Sequence, residues 1–323
     1  MTQSLSGRRQ ATAEAETSGA GESTTTVIVA FCANLGIAVA KSVVATVTGS
    51  ASMLAEAAHS WADTGNQVLL LVADKKARRP ADRSHPYGYG RDAYVWAMFA
   101  AMGLFVAGGA VSVWHGISEL GATEQGHYSW AYVVLALAFV FEGVSFAQAY
   151  RQTAREAQRL DRDVLEHALA TSDPTLRAVF AEDSAALIGL VVAGLGIFLH
   201  QVTGNAVYDA VASILVGVLL LVVAVILIQR NRRFLTGEEV DPELRRAAIE
   251  RLRALPEVER IAYVHLEFVG PRKVLLVAAV DLAGDQPEGR LAYALRELEH
   301  RLEEDPLVVE AVLTLAASDE PSI

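Results

Sequence analysis

Cysteine is almost absent from this chain: Cys32 is the single one in 323 residues. One thiol excludes a disulfide framework and a thiolate metal cluster within the chain. Basic charge is scarce as well. Lys and Arg number 27 against 38 Asp and Glu, a formal net charge of −11, which argues against nucleic-acid binding. Residues 1–24 lack the basic start and apolar core of a secretory signal. Their Ser, Thr, Ala, Gly and Glu read as a disordered tail. No His-Glu-x-x-His occurs anywhere, so the signature of a zinc protease, with its paired imidazoles and general base, is missing.

Apolar residues are what the chain has in quantity. Ala, Val, Leu and Gly dominate and mean hydropathy is above zero, as expected of a membrane protein with a soluble part. A membrane helix needs about 20 mostly apolar residues. Six segments qualify: Thr25–Val47, Ala51–Ala73, Asp92–Ile117, Tyr128–Tyr150, Pro174–His200 and Ala206–Gln229, here called spans one to six. Basic residues collect in alternate connections. Lys75, Lys76, Arg78, Arg79 and Arg83 follow span two, Arg151, Arg155, Arg159 and Arg162 follow span four, and Arg230, Arg232 and Arg233 follow span six. The connections around Ser50, Gly121–His127 and Gln201–Asn205 have no Lys or Arg. The positive-inside rule then predicts that both termini are cytoplasmic, with the plasma (inner) membrane as the expected location.

Beyond about Val240 the pattern changes. Asp241-Pro242 starts a helix that runs to about Ala254. Arg260–Val269 and Lys273–Leu282 read as strands joined at Gly270-Pro271. Pro287–Glu304 reads as an amphipathic helix and Leu307–Leu315 as a last strand. The expected fold is therefore a six-helix membrane bundle followed by a small cytoplasmic α+β domain of αββαβ, ferredoxin-like order. The expected organisation is tail 1–24, transmembrane domain 25–236, C-terminal domain 237–318 and tail 319–323. A domain of about 80 residues is near the lower size limit for folding alone, so dimerisation would help it.

The chemistry lies inside the membrane. Glu56, His59, Asp63 and Asn66 follow i, i+3, i+7, i+10 and make one polar stripe on span two, with Gln67 beside it. His59 and Asp63 are one turn apart on one face, a pair suited to a divalent transition metal. Such a stripe must face a bundle interior or a water-filled path. A hydrogen-bonded packing network is the bland alternative. Span five supplies Glu182 and Asp183 at the depth of the span-two motif, and Glu142 lies mid-span in span four. Glu142 could complete a coordination sphere, relay a proton or pair with a cation. Carboxylates around one imidazole need a cation. Metal binding there releases protons, which is the physical basis for exchanging metal for protons. Lys41 can snorkel or pair with an acid. Asp209 suits the positive start of its own helix. His115, His127 and His200 fall at outer span ends, where solvation is expected.

These features together resemble the cation diffusion facilitator family. Ser52-Met-Leu-Ala-Glu-Ala-Ala-His-Ser-Trp-Ala-Asp looks like its second helix. His85-Pro-Tyr-Gly-Tyr-Gly-Arg91 looks like the loop before its third, and Tyr208-Asp-Ala-Val-Ala-Ser-Ile-Leu-Val-Gly like its sixth. The resemblance covers nearly everything after the tail. It implies a homodimer that exports a divalent metal, most often zinc, from the cytoplasm by proton antiport with alternating access. The metal would bind between helices two and five, at His59, Asp63 and Asp183 with Glu182, Glu142 or water. The usual fifth helix has His-x-x-x-Asp, but here Val179 stands in the His position. Asp173-Pro-Thr-Leu-Arg-Ala-Val-Phe-Ala-Glu-Asp-Ser looks instead like a branch that includes a mitochondrial zinc transporter, with a Glu-Asp pair at this place. Losing one nitrogen donor makes the site harder and admits Mn2+, Fe2+, Co2+ or Cd2+ beside Zn2+. His265 and His300 are too few for a regulatory metal site in the C-terminal domain. The competing reading is a membrane metal sensor or scaffold with a structural, closed metal site. Neither reading needs a catalytic cofactor.

Overall fold

The computed structural model describes residues 31–121, 128–159, 162–237, 239–284 and 287–323. The tail 1–24, the first residues of span one and His127 lie outside the described residues. Helix α1 covers Phe31–Thr48 and α2 Ala51–Ala77. Span three is built from α3 (Asp92–Gly103), a π-helical stretch Leu104–Ala110 and α4 (Val111–Ser118). Helix α5 is Ser129–Arg159, the short α6 Val164–Ala170, α7 Pro174–Thr203 and α8 Val207–Leu235. They are followed by α9 (Pro242–Arg253), strands β1 (Val258–Gly270) and β2 (Lys273–Leu282), α10 (Glu288–Glu303) and β3 (Val308–Leu315).

Five of these stretches are long and apolar enough to cross a membrane: Phe31–Thr48, Asp92–Gly121, Ser129–Gln158, Pro174–Thr203 and Val207–Leu235. Helix α2 is long enough but is not among them. Its polar stripe and the charged end Asp74-Lys75-Lys76 lower its hydropathy. The α8 residues Val211, Leu215, Val218 and Val222 are exposed at helical spacing, the arrangement of a face turned to lipid.

The chain forms two compact units. The first is Met1–Gln67, Gly103–Ser145 and Glu182–Val223; the second is Val68–Met102, Phe146–Ala181 and Ala224–Ile323. In the first unit the key event is the start of α2. The opening turn of this helix contains no acid of its own, and its free N–H groups are buried, where water cannot satisfy them. Asp209 of α8, 3 % exposed, supplies the acceptor. One carboxylate oxygen accepts from the Ala51 N–H at 2.7 Å, and the other accepts from the Ser50 hydroxyl at 3.0 Å and from the Ser52 hydroxyl. A carboxylate at this point also meets the positive end of the helix dipole. Nearby, α4 and α8 pack backbone to backbone. A Cβ at Gly116 would lie 2.8 Å from the Ala210 carbonyl oxygen, and one at Gly217 would lie 2.8 Å from the Val113 nitrogen. This is the small-residue packing of membrane helices.

In the second unit, the loop before α3 packs on the C-terminal elements. A Cβ at Gly90 would lie 2.6 Å from the Val269 carbonyl oxygen and 2.7 Å from the α-carbon of Gly270. Arg91 pairs with Glu267. The same loop is closed on itself by Asp82, which accepts from the Ser84 and Tyr89 hydroxyls and the His85 N–H. These bonds hold the Asp82 carboxyl well below the usual carboxylate range. Arg177 is buried. It donates to the Thr171 carbonyl at 2.7 Å and to the Asn231 side chain, with the Phe234 ring 5.2 Å from its guanidinium. Tyr94 stacks on Phe234 and donates to the Ser172 carbonyl, while the Arg272 N–H donates to the Ser172 hydroxyl. The sheet has the order β1-β2-β3, with β1 antiparallel and β3 parallel to β2. Helix α10 makes the crossover that a parallel neighbour requires. Alternate β2 residues Val274, Leu276, Ala278, Val280 and Leu282 are buried in one core with Leu252 of α9 and Leu298 of α10.

Asp209→Ala removes the acceptor of the Ala51 N–H and leaves only the Ser50 hydroxyl on the Met53 N–H, and it is expected to cost about 2 kcal/mol, while Asp209→Asn, which keeps an acceptor, recovers most of it. The thermal midpoint of the detergent-solubilised protein reads both. Gly90→Ala meets backbone on two sides and is expected to cost about 1–3 kcal/mol in the same assay. A midpoint equal to wild type would mean that the loop does not pack closely on Gly270.

Candidate metal site in the membrane

The regular α2 helix turns Glu56, His59, Asp63 and Asn66 to one side, and Glu56, His59 and Asn66 are buried. His59 is 1 % exposed, and neither of its ring nitrogens has a hydrogen-bond partner. Asp63 Oδ1, Asn66 Oδ1 and Ser60 Oγ on the same helix are also buried without partners. Orphan polar atoms at such density are costly and call for a ligand. His59 Nε2 lies 3.3 Å from Asp63 Oδ2. Two donors on one tetrahedral zinc, each about 2.1 Å from the metal, are separated by about 3.4 Å. The pair therefore has the bite of a chelate.

Two contacts bring further residues to this stripe. The Asn66 amide donates to both carboxylate oxygens of Glu182 on α7. The Ser145 hydroxyl of α5 donates to Asp183 Oδ2 at 2.6 Å. Glu142 is one turn before Ser145 on α5 and is buried. Helices α2, α5 and α7 thus all contribute within the first unit. Among the described residues, no three His, Cys, Asp or Glu side chains form a ready-made metal group. The two α7 acids are instead each held by a neutral donor.

Several polar residues have roles that the sequence leaves open or conceals. Lys41 does not snorkel: it donates to Glu56 Oε2 at 2.9 Å, and both side chains are fully buried. Asp209 serves the start of α2 rather than that of its own helix. His200 is buried, not solvated, with its Nδ1 3.1 Å from the Tyr128 hydroxyl. Ser145 does not stand out in the sequence, although its spacing from Glu142 puts it on the same face. Asn66 reads there only as part of the stripe.

Comparison with known proteins gives this arrangement a context. Residues 27–236 match the sequence profile of the cation efflux transmembrane domain. The chain is 35 % identical over 259 residues to the proton-coupled zinc antiporter SLC30A9, mitochondrial, of Mus musculus, covering 80 % of this chain and 46 % of the relative. It is 34 % identical over 233 residues to metal tolerance protein C4 of Arabidopsis thaliana, with 72 % and 51 % covered. It is 30 % identical over 191 residues to the putative transporter MamV of Paramagnetospirillum magneticum, with 58 % and 51 % covered. The chain spans about half the length of these curated relatives. The names of the antiporter relatives correct the expected plasma (inner) membrane location, because they are mitochondrial. Membrane integration itself rests on the apolar helices. With the profile matched over residues 27–236 and a relative 35 % identical over four-fifths of this chain, the chain belongs to the cation diffusion facilitator family.

Proposed function

We propose that this chain carries a divalent metal, Zn2+ first, across its membrane in exchange for protons. The observation that carries the reading is the chelate-like 3.3 Å separation of His59 Nε2 and Asp63 Oδ2, set among buried donor atoms without partners. His59 and Asp63 hold the metal from α2, Asp183 holds it from α7, and Glu182, Glu142 or water completes the shell. Helix α2 is span two and completes the set of six, crossing the membrane with its polar stripe turned inward. The transmembrane domain is 25–236, the soluble domain 237–318, and two copies act together.

The exchange follows from charge. Glu182 and Asp183, adjacent in sequence, and the nearby Asp63 and Glu142 cannot all be ionised in a low-dielectric interior without a cation. Metal entering as 2+ displaces protons, and protons entering displace the metal. For metal to take Asp183 or Glu182, the hydroxyl of Ser145 or the amide of Asn66 must yield its bond. Each is a single neutral hydrogen-bond donor, so the exchange costs little beside a metal bond. Transport runs outward from the side that bears the basic loops and the soluble domain. Likeness to the antiporter relatives favours zinc, protons and a mitochondrial membrane. The oxygen-rich donor set leaves room for Mn2+, Fe2+, Co2+ or Cd2+.

Purified protein in proteoliposomes with a pH gradient is expected to take up zinc, and Asp63→Ala or Asp183→Ala to abolish uptake with the fold retained. Unchanged flux in Asp183→Ala would remove Asp183 from the site. His59→Asp is expected to shift the preference toward Mn2+ over Zn2+ in a parallel flux panel. Zinc bound by the wild type without flux of any tested metal would instead mark a closed structural site, the sensor or scaffold reading.

A further inference from the structure

We propose that Lys41 is a tethered cation that tunes the metal affinity of the α2 site through Glu56. The inference rests on the transport reading above and concerns two residues outside its ligand set. Lys41 Nζ and Glu56 Oε2 are 2.9 Å apart with both side chains 0 % exposed. The other Glu56 oxygen, Oε1, is buried with no hydrogen-bond partner. It lies 2.6 Å from where a Cβ would stand on Gly189 of α7, so this carboxylate is accommodated only because that position is bare. Glu56 is one turn from His59 and two from Asp63 on the same face of α2.

A buried ion pair is a poor packing device. Two apolar side chains of similar volume would fill the space without the desolvation cost and with no loss of stability. What the pair provides, and apolar packing does not, is a fixed pattern of charge beside the site. The Glu56 carboxylate is on α2, a turn from His59, and attracts a divalent ion. Lys41 reaches in from α1 and offsets that attraction. At an effective dielectric of about 20, one unit charge roughly 10 Å from a divalent ion changes its affinity by tenfold or more. Lys41 therefore keeps the affinity below what an unpaired Glu56 would impose, so that bound metal can be released, which a carrier needs and a structural site does not.

Zinc dissociation constants of the full-length protein in nanodiscs test this. Lys41→Gln is expected to tighten zinc binding at least tenfold and Glu56→Gln to weaken it at least tenfold. A purely structural pair predicts that both variants weaken binding or that neither changes it, and either result would overturn the proposal. The swap Lys41→Glu with Glu56→Lys keeps a buried pair but moves the cation onto α2 beside His59. Weakening of at least tenfold in the swapped protein supports the proposal, and wild-type affinity refutes it even where the single variants fail to fold. Wild-type protein that binds no zinc at all would remove the site itself, a different failure from a site whose affinity ignores the pair.

Discussion

The arrangement of this membrane domain depends on how α2 begins. A helix that starts inside a bundle leaves N–H groups that neither lipid nor water can satisfy, and Asp209 resolves this from another helix. Because the bonds run to the Ala51 N–H and to the Ser50 and Ser52 hydroxyls, they fix both the depth and the rotation of α2. Every residue of the polar stripe inherits that position. Glu56 then meets Lys41, Asn66 meets Glu182, and His59 and Asp63 are left with unfilled bonding capacity between them. The cap is a structural contact, but it determines where the chemistry sits.

Much of this was legible in the sequence because it follows from period and from cost. The 3.6-residue period put Glu56, His59, Asp63 and Asn66 on one face, and the expense of ionisable groups in lipid marked them as more than packing. The strands were legible from the β-rich run Val274–Val280 and from the turn at Gly270-Pro271, whereas the alternate burial of β2 appears only in the structure. What was not legible depends on three-dimensional partners. No local pattern says that the acid serving the start of α2 is 158 residues away. The local sequence offers Ser50, whose Oγ accepts from the Met53 N–H at 3.2 Å, and nothing in it marks the Ala51 N–H as served by a distant acid. Lys41 had snorkelling and pairing equally open to it, and only the position of Glu56 decides between them. Ala51–Ala73 was read as a span by its length and apolar content, but α2 is less apolar than the other five stretches because its polar stripe and charged end lower its hydropathy.

The acids of α7 illustrate a related balance. Glu182 and Asp183 are neighbours in sequence and point to different partners, Asn66 on α2 and Ser145 on α5. A neutral donor is a modest partner for a buried carboxylate: it orients the group without the full pairing that Lys41 gives Glu56. The first unit thus contains carboxylates in two conditions. Glu56 is matched by a fixed cation, while the α7 pair is held only by dipoles. Of these three, the α7 acids are therefore the ones whose described contacts include no charged partner.

The packing of α2 into the bundle follows from the same balance. Three of its polar points are matched by other helices: Glu56 by Lys41 of α1, Asn66 by Glu182 of α7, and its opening turn by Asp209 of α8, while His59, Ser60 and Asp63 keep buried atoms without partners. Assembly of the bundle and assembly of the site are therefore one event. A substitution that removes any of these partners leaves an unmatched group in a low-dielectric interior, so it disturbs the candidate site and the fold together. Exchange variants, which keep each polar group matched while moving its charge, are the ones that separate the two.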